Sequence, residues 1–344
     1  MPKLSSPTLN DALEDWLTVR SAGRGLSENT IRAYRFDIAA IAEKLDPKSP
    51  YYTKKRPPRA PLLTADRPSA DHVRVSALTT ANLVKALAKL HGDGVAPGTR
   101  ARIHGTLAAL CAHLAHTGHL ATDPMAESGL ERPKQARSLP RYIERDAEIG
   151  RVLRAAATPD PNGRNVWPER DIALAAVLAG TGVRASELCR LRIRDLVLDV
   201  EDPYIRVTGK GGAVRDCPLA PEVAETLEDY LASREERTKR RAGRNAPVWL
   251  NGKGDPLTPA ALDHHVRSWY DRADVPLPDG AATHAFRHTV AMQLVNRGEP
   301  VNVVQALLGH ASLSSTQIYI RAAGHHVREA AHALPIRQQL RKMS

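Results

Sequence analysis

Cysteine is scarce in this sequence. Cys111, Cys189 and Cys217 are odd in number and widely spaced, which argues against a disulfide framework or a zinc knuckle and fits a reducing, cytoplasmic setting. Long apolar runs are also missing. The longest, IALAAVLAG, is far too short to span a bilayer. The opening MPKLSSPTLN has no apolar segment of the kind that a secretion signal needs, and no repeat of solenoid period is present. Negative charge is in deficit: 49 Lys and Arg against 38 Asp and Glu leave a net +11, with a sequence pI near 9.8. A chain so charged attracts polyanions. The rest is ordinary for a globular protein, with 42% hydrophobic and 25% charged residues over 344 positions. That length suffices for two domains, each with its own core.

The periodicity predicts a mainly α chain with one small antiparallel sheet. SENTIRAYRFDIAAIAEKL places Ile31, Tyr34, Ile38, Ile41 and Leu45 on one helical face, with Ser27 as cap. NDALEDWLTVR and TTANLVKALAKL are further helices. PGTRARIHGTLAALCAHLAHTG opens at Pro97 and stops at Gly118, burying Ile103, Leu107, Leu110, Cys111 and Leu114. These elements make a helical first domain over residues 1–120, broken by a proline-rich basic insert at about 46–75 that reads as an exposed loop. Residues 121–140 read as a linker, with a new helix from near Asp146. In the second domain, 141–344, WPERDIALAAVLAG, PEVAETLEDYLASREERTKRR, TPAALDHHVRSWYDRA and HAFRHTVAMQLVNRG are helical. DLVLDVEDPYIRVTGKGGAVRDCPLA reads as short strands, with GKGG as a hairpin turn between Ile205/Val207 and Val214.

Four motifs carry chemistry, each with a plainer structural reading beside it. GTGVRASELCRL sets Arg184 after a glycine turn and before a helix, where its fork can meet a phosphate, and Glu187 can hold it in place; the plain reading is a surface ion pair. GKGG puts Lys210 at a turn tip, either solvated or reaching toward a leaving oxygen. HAFRH places His284 and Arg287 at i and i+3 on one helical face. His284 and His288 have the i, i+4 spacing of a zinc pair, but no glutamate follows the first histidine, so the zinc-protease motif is not there. The His264–His265 and His325–His326 pairs read as surface. LLGHASLSSTQIYI carries His310 and Tyr319. A helix–turn–helix with a buried tyrosine would account for it alone, but not for the other motifs. In chain order, Arg184, Lys210, His284, Arg287, His310 and Tyr319 are the groups needed to attack a phosphodiester without a metal. Arginines neutralise the nonbridging oxygens, the tyrosine attacks, one group protonates the departing sugar oxygen and another takes the tyrosine proton.

TGVRASEL, VTGKGGAVRDCPL, THAFRHTVAMQLVNRG and LLGHASLSSTQIYI, in that order, resemble the conserved boxes of the tyrosine recombinases, the λ-integrase-type or Xer-type family. The gaps agree as well: 23 residues from Arg287 to His310 (310 − 287) and nine from His310 to Tyr319 (319 − 310). The resemblance covers the second domain by motif and the first by pattern only. It implies a helical core-binding domain followed by an α/β catalytic domain, and a site-specific recombinase working through a 3′-phosphotyrosine link. Tyr319 would be the nucleophile, Arg184 and Arg287 the phosphate clamp, and Lys210 the general acid for the 5′ oxygen. His284 would be the acid–base partner of the tyrosine, His310 would steady the transition state, and Glu187 would support the site. No cofactor is implied, neither ATP nor metal. The partners implied are double-stranded DNA core sites and a homo-tetramer, with a second recombinase subunit or a directionality factor as variants, and no membrane. A segment at about 321–344 would dock on the neighbouring subunit. The chain starts almost at its first helix, which leaves no room for an arm-binding domain and favours action on short core sites. Integration or excision of a phage or mobile element is the expected role. Xer-like dimer resolution, a type IB topoisomerase, or a non-catalytic DNA-binding regulator are the alternatives.

Overall fold

The computed structural model describes residues 6–46, 70–133, 142–143, 146–161, 163, 166–277, 281–309 and 319. It divides into two compact units, Met1–Arg137 and Ser138–Ser344.

Among the described residues, unit 1 is wholly helical: α1 (Leu9–Arg24), α2 (Glu28–Leu45), α3 (Thr80–Gly92), α4 (Pro97–His116) and α5 (Pro124–Glu127). The starts follow local chemistry. The hydroxyls of Thr8, Ser27 and Thr79 accept N–H groups of the first turns of α1, α2 and α3, while Pro97 opens α4. Leu13, Trp16, Ile38, Ile41, Leu83 and Leu107 meet in the core. Asp37, buried on α2, accepts from Thr106 of α4 at 2.7 Å and pairs with Arg102; burial raises its pKa against the pull of both partners.

Two stretches differ from the sequence reading. The end of the insert is not an exposed loop. Ala70, Val73 and Val75 are buried, and main-chain bonds from Leu9 to Val73 and from Val75 to Pro7 lash it to the start of α1. Residues 47–69 of that insert lie outside the described residues. The stretch read as linker begins with α5, because Asp123 caps it, Pro124 starts it and Met125 buries its side chain in the core.

Unit 2 contains α6 (Asp146–Ala157), α7 (Pro168–Thr181), the single-turn α8 (Ala185–Leu188), strands β1 (Leu196–Val197), β2 (Tyr204–Thr208) and β3 (Val214–Pro218), then α9 (Pro221–Thr238), α10 (Pro259–Arg272), α11 (Ala282–Asn296) and α12 (Val301–Leu308). The sheet is antiparallel in the order β1-β2-β3, with Leu196 opposite Ile205 and Thr208 opposite Val214. Ile205 and Val207 point into the core, as the alternation requires. Apolar α7 packs against α6, α9 and α11. Tyr230 stacks on Trp249 and pins the stretch 248–250 to α9, donating to the Val248 carbonyl and accepting from the Leu250 N–H. α11 is buried along most of its length, which fixes the side chains it carries. His265, expected at the surface, is half-buried, with its Nε2 3.3 Å from Arg170. Among the described residues no helix is long and apolar enough to cross a membrane.

Candidate active site

A helix leaves its last carbonyls without helical partners. At the end of α12 each of them is taken. Gly309, at φ 63° and ψ 50°, turns the chain out of the helix, and its N–H covers the carbonyls of Gln305 and Ala306. The next three carbonyls accept from three guanidinium groups that reach in from separate parts of unit 2. Arg215 of β3 donates from Nε to Leu307 at 3.2 Å, Arg287 of α11 from Nη2 to Leu308 at 2.6 Å, and Arg184, just before α8, from Nη2 to Gly309 at 3.2 Å. Cations placed there also meet the negative end of the helix dipole. Glycine is required at 309 twice over: for its positive φ, and because a Cβ would lie 2.6 Å from Arg215 Nη1. Arg287 also donates from Nη1 to the Gly182 carbonyl at 2.7 Å, so it joins the ends of α7 and α12.

Glu187 organises two of these arginines. Its side chain is 1% exposed. Oε1 accepts from Arg184 Nη1 at 2.7 Å, and Oε2 accepts from Arg215 Nη2 at 2.8 Å and from the Arg184 main-chain N–H at 3.1 Å. Burial alone would raise the pKa of this carboxyl. The hydrogen bonds from Arg215 and Arg184 outweigh it and hold the pKa at about 2, against an ordinary 4.5. A carboxylate with a depressed folded-state pKa contributes stability above its unfolded value and loses it as pH falls through the folded value. The window here runs from pH 4.5 down to about 2, and the depression corresponds to about 3 kcal/mol. In denaturant unfolding, Glu187→Gln should therefore lose most relative to the parent above pH 4.5, and the gap should close by about 3 kcal/mol on acidification. A gap independent of pH would contradict the charged pairing.

Three guanidinium groups thus face one carboxylate. Arg287 shows the imbalance: burial first, then repulsion from Arg184, lower its pKa to about 10. An anion at this place would relieve that strain.

Tyr319 lies in a small cluster with Val290, Ala291, Met292, Val304 and Leu308 and is 3% exposed. Its hydroxyl is 2.6 Å from Nδ1 of His288. Burial raises the phenol's pKa, while Arg287 and Arg184 pull it down. The imidazole of His288 is pushed down to about 4, by burial and then by His284 and Arg287, so it is neutral near pH 7.

The structure thus brings together Arg184, Glu187, Arg287 and Tyr319 of the residues singled out in the sequence. Lys210 has its backbone in the short turn joining β2 to β3. That turn begins beside the site, since a Cβ on Gly209 would sit 3.6 Å from Glu187 Oε1. His284 stands exposed at the rim, 6.3 Å from His288 between ring centroids. Even so, the protein around it, with Arg287 and Arg184 adding repulsion, lowers its pKa. His310 lies outside the described residues, directly after the Gly309 carbonyl that Arg184 holds. Sequence reasoning missed two residues. Arg215 shares the inward parity of Cys217 on β3, and a charge on that face was its signal. In the sequence, the spacing of His288 from His284 signals only half of a metal pair.

The sequence model of the phage integrase family matches residues 145–326. Tyrosine recombinase XerD of Listeria monocytogenes serovar 1/2a is 32% identical over 311 residues, covering 90% of this chain and 94% of that protein. Tyrosine recombinase XerC of Rhodospirillum centenum is 33% identical over 335 residues, covering 96% and 89%. Among solved structures, XerH site-specific recombinase bound to palindromic difH substrate superposes with a TM-score of 0.67 at 20% identity, over 93% of this chain and 84% of that one. A lambda integrase dimer bound to a COC′ core site gives 0.63 at 19% identity, over 92% and 77%. At such identities the structural likeness speaks to the fold alone.

Proposed function

The chain belongs to the phage integrase family as a tyrosine recombinase, an enzyme that breaks and rejoins DNA strands, and on that premise we propose that Tyr319 is its nucleophile and that Arg184 and Arg287 hold the phosphate it attacks. The observation that carries this reading is the pairing of a buried phenol with a neutral imidazole on the residue next to Arg287. Arg287 and Arg184 belong to a trio of guanidinium groups balanced by one carboxylate. Such an excess of fixed donors suits a phosphodiester, whose charge grows as the nucleophile approaches. Glu187 supports the clamp from behind. Lys210, on the turn beside it, is the general acid for the departing 5′ oxygen. His284 and His310 complete the set at the phosphate. The product is a 3′-phosphotyrosine with a free 5′ hydroxyl, which conserves the bond energy for rejoining.

The partners that fit are double-stranded core sites, read by residues 1–120 together with the catalytic unit, and further copies of this chain in a tetramer, with residues 321–344 as the docking segment. A cytoplasmic setting suits this chemistry. Integration or excision of a mobile element is one outcome of it. The near full-length match to XerD and XerC proteins favours a second, resolution of chromosome or plasmid dimers.

Incubation with DNA flanking the protein's own coding locus, without metal or ATP, tests the reading on a denaturing gel. A covalent adduct at one short sequence is expected for an integrating element. An adduct confined to a site remote from the locus would support dimer resolution. Tight specific binding without an adduct on any DNA would support the regulator instead.

A further inference from the structure

The resemblance implies His284 as the acid–base partner of the tyrosine, but the ring placed at the tyrosine hydroxyl is a different one. His288 follows Arg287 on α11, in a helix whose neighbouring positions Arg287 and Thr289 are buried. Thr289 is fixed in turn, because its hydroxyl donates to the Ala285 carbonyl and accepts the Ile143 N–H. The imidazole at 288 is therefore mounted on a rigid element, as a proton-transfer group must be. Its Nδ1 lies 2.6 Å from Tyr319 Oη, within the range expected of a base in contact with the proton it removes. The tyrosine is 3% exposed and shares a buried cluster with Val290, Met292, Val304 and Leu308, so water has little access to it.

We propose that His288 is a catalytic residue, the base that takes the hydroxyl proton from Tyr319 as its oxygen attacks. The inference rests on the reading of Tyr319 as nucleophile. In the neutral tautomer with the proton on Nε2, Nδ1 presents its lone pair to the phenol. As the reaction proceeds, the Tyr319 O–H bond breaks and its proton passes to Nδ1, giving an imidazolium. The electron pair left on the oxygen forms the O–P bond. The P–O5′ bond breaks, and the 5′ oxygen leaves with the electron pair of that broken bond and takes a proton from the general acid. On rejoining, the 5′ hydroxyl returns its proton to the deprotonated general acid as its oxygen attacks phosphorus, the Tyr319 O–P bond breaks, and the imidazolium gives its proton to the departing phenolate. A low basicity suits both directions: the ring is neutral and ready before attack, and it gives the proton back readily afterwards. Burial that keeps the phenol protonated at rest makes a contacting base necessary.

His288→Asn separates this role from a structural one. Its side-chain oxygen can accept the Tyr319 hydrogen bond from nearly the place of Nδ1, yet it cannot carry the proton away. The duplex mapped in the adduct experiment is prepared with an ordinary scissile phosphate and with sulfur at the 5′-bridging position, where the leaving group needs no proton. On the ordinary duplex His288→Asn should cleave about 10²–10³-fold more slowly. On the sulfur duplex it should remain slow while a Lys210→Ala chain recovers. Parental or faster cleavage would mean that His288 only holds the tyrosine at rest, and recovery on sulfur would make it an acid; either result overturns the inference. Tyr319→Phe runs alongside. An adduct from that chain would remove the nucleophile assignment itself, whereas a dead Tyr319→Phe beside an unimpaired His288→Asn removes only the base. Nitrogen-15 spectra of histidine-labelled parent protein give a reading that needs no DNA site. Nδ1 of His288 should carry no proton while Nε2 does, and the opposite tautomer would overturn the inference.

Discussion

Tyr319→Phe should abolish the covalent DNA adduct while leaving DNA affinity intact. The substitution removes one oxygen and little else. A phenyl ring fills the same space among Val290, Met292, Val304 and Leu308. The fold loses the bond to His288, worth about 1 kcal/mol net. Chemistry loses everything, because no second oxygen stands in the place of the first. A denaturing gel gives the outcome directly, and a gel shift on the same DNA shows that binding survives. Residual adduct would assign the nucleophile elsewhere.

Arg287→Lys should be nearly as damaging although it keeps the charge. The guanidinium donates in two directions at once, from Nη1 to the Gly182 carbonyl and from Nη2 to the Leu308 carbonyl. A lysine ammonium is a compact point charge on a flexible stem and cannot reproduce that fork. One of the two carbonyls, both buried at helix ends, is then left without its donor, and the charge moves away from the place the fork fixed. Single-turnover cleavage should fall by about 10²–10³-fold, the usual loss when a preorganised donor to a developing oxyanion is displaced. A rate within about tenfold of the parent would show that charge alone suffices at 287.

The helices were legible because their signals are local: apolar periodicity, the hydroxyl cap at Ser27, proline opening α4 at 97 and glycine at 118 just past its end. The hairpin around GKGG was legible for the same reason. A helix after Arg184 was legible as well, but its length, the single turn of α8, was not. The burial of residues 70–75 was not either, because it depends on pairing with Pro7 and Leu9, more than sixty positions away. At the site, Arg184, Glu187, Arg287 and Tyr319 stood out by residue type and spacing. Arg215 did not, because one of the partners it finds is a main-chain carbonyl, which leaves no mark in a sequence. His288 was visible as a residue, but a spacing of four from His284 suggested a shared metal, whereas the fold turns it toward a phenol 31 positions on.

The three carbonyls at the end of α12 have a consequence for how the enzyme comes to be armed. Arg184, Arg215 and Arg287 come from three separate parts of unit 2, and each closes on one successive peptide group at 307, 308 and 309. The seat is keyed to backbone shape, since all three arginines close on main-chain carbonyls, while the buried Leu308 side chain serves the packing around Tyr319. It is also an interlock: until α12 has docked, the three guanidinium groups have no common template to align them, and a half-folded chain carries the parts of a DNA-cutting tool without the tool.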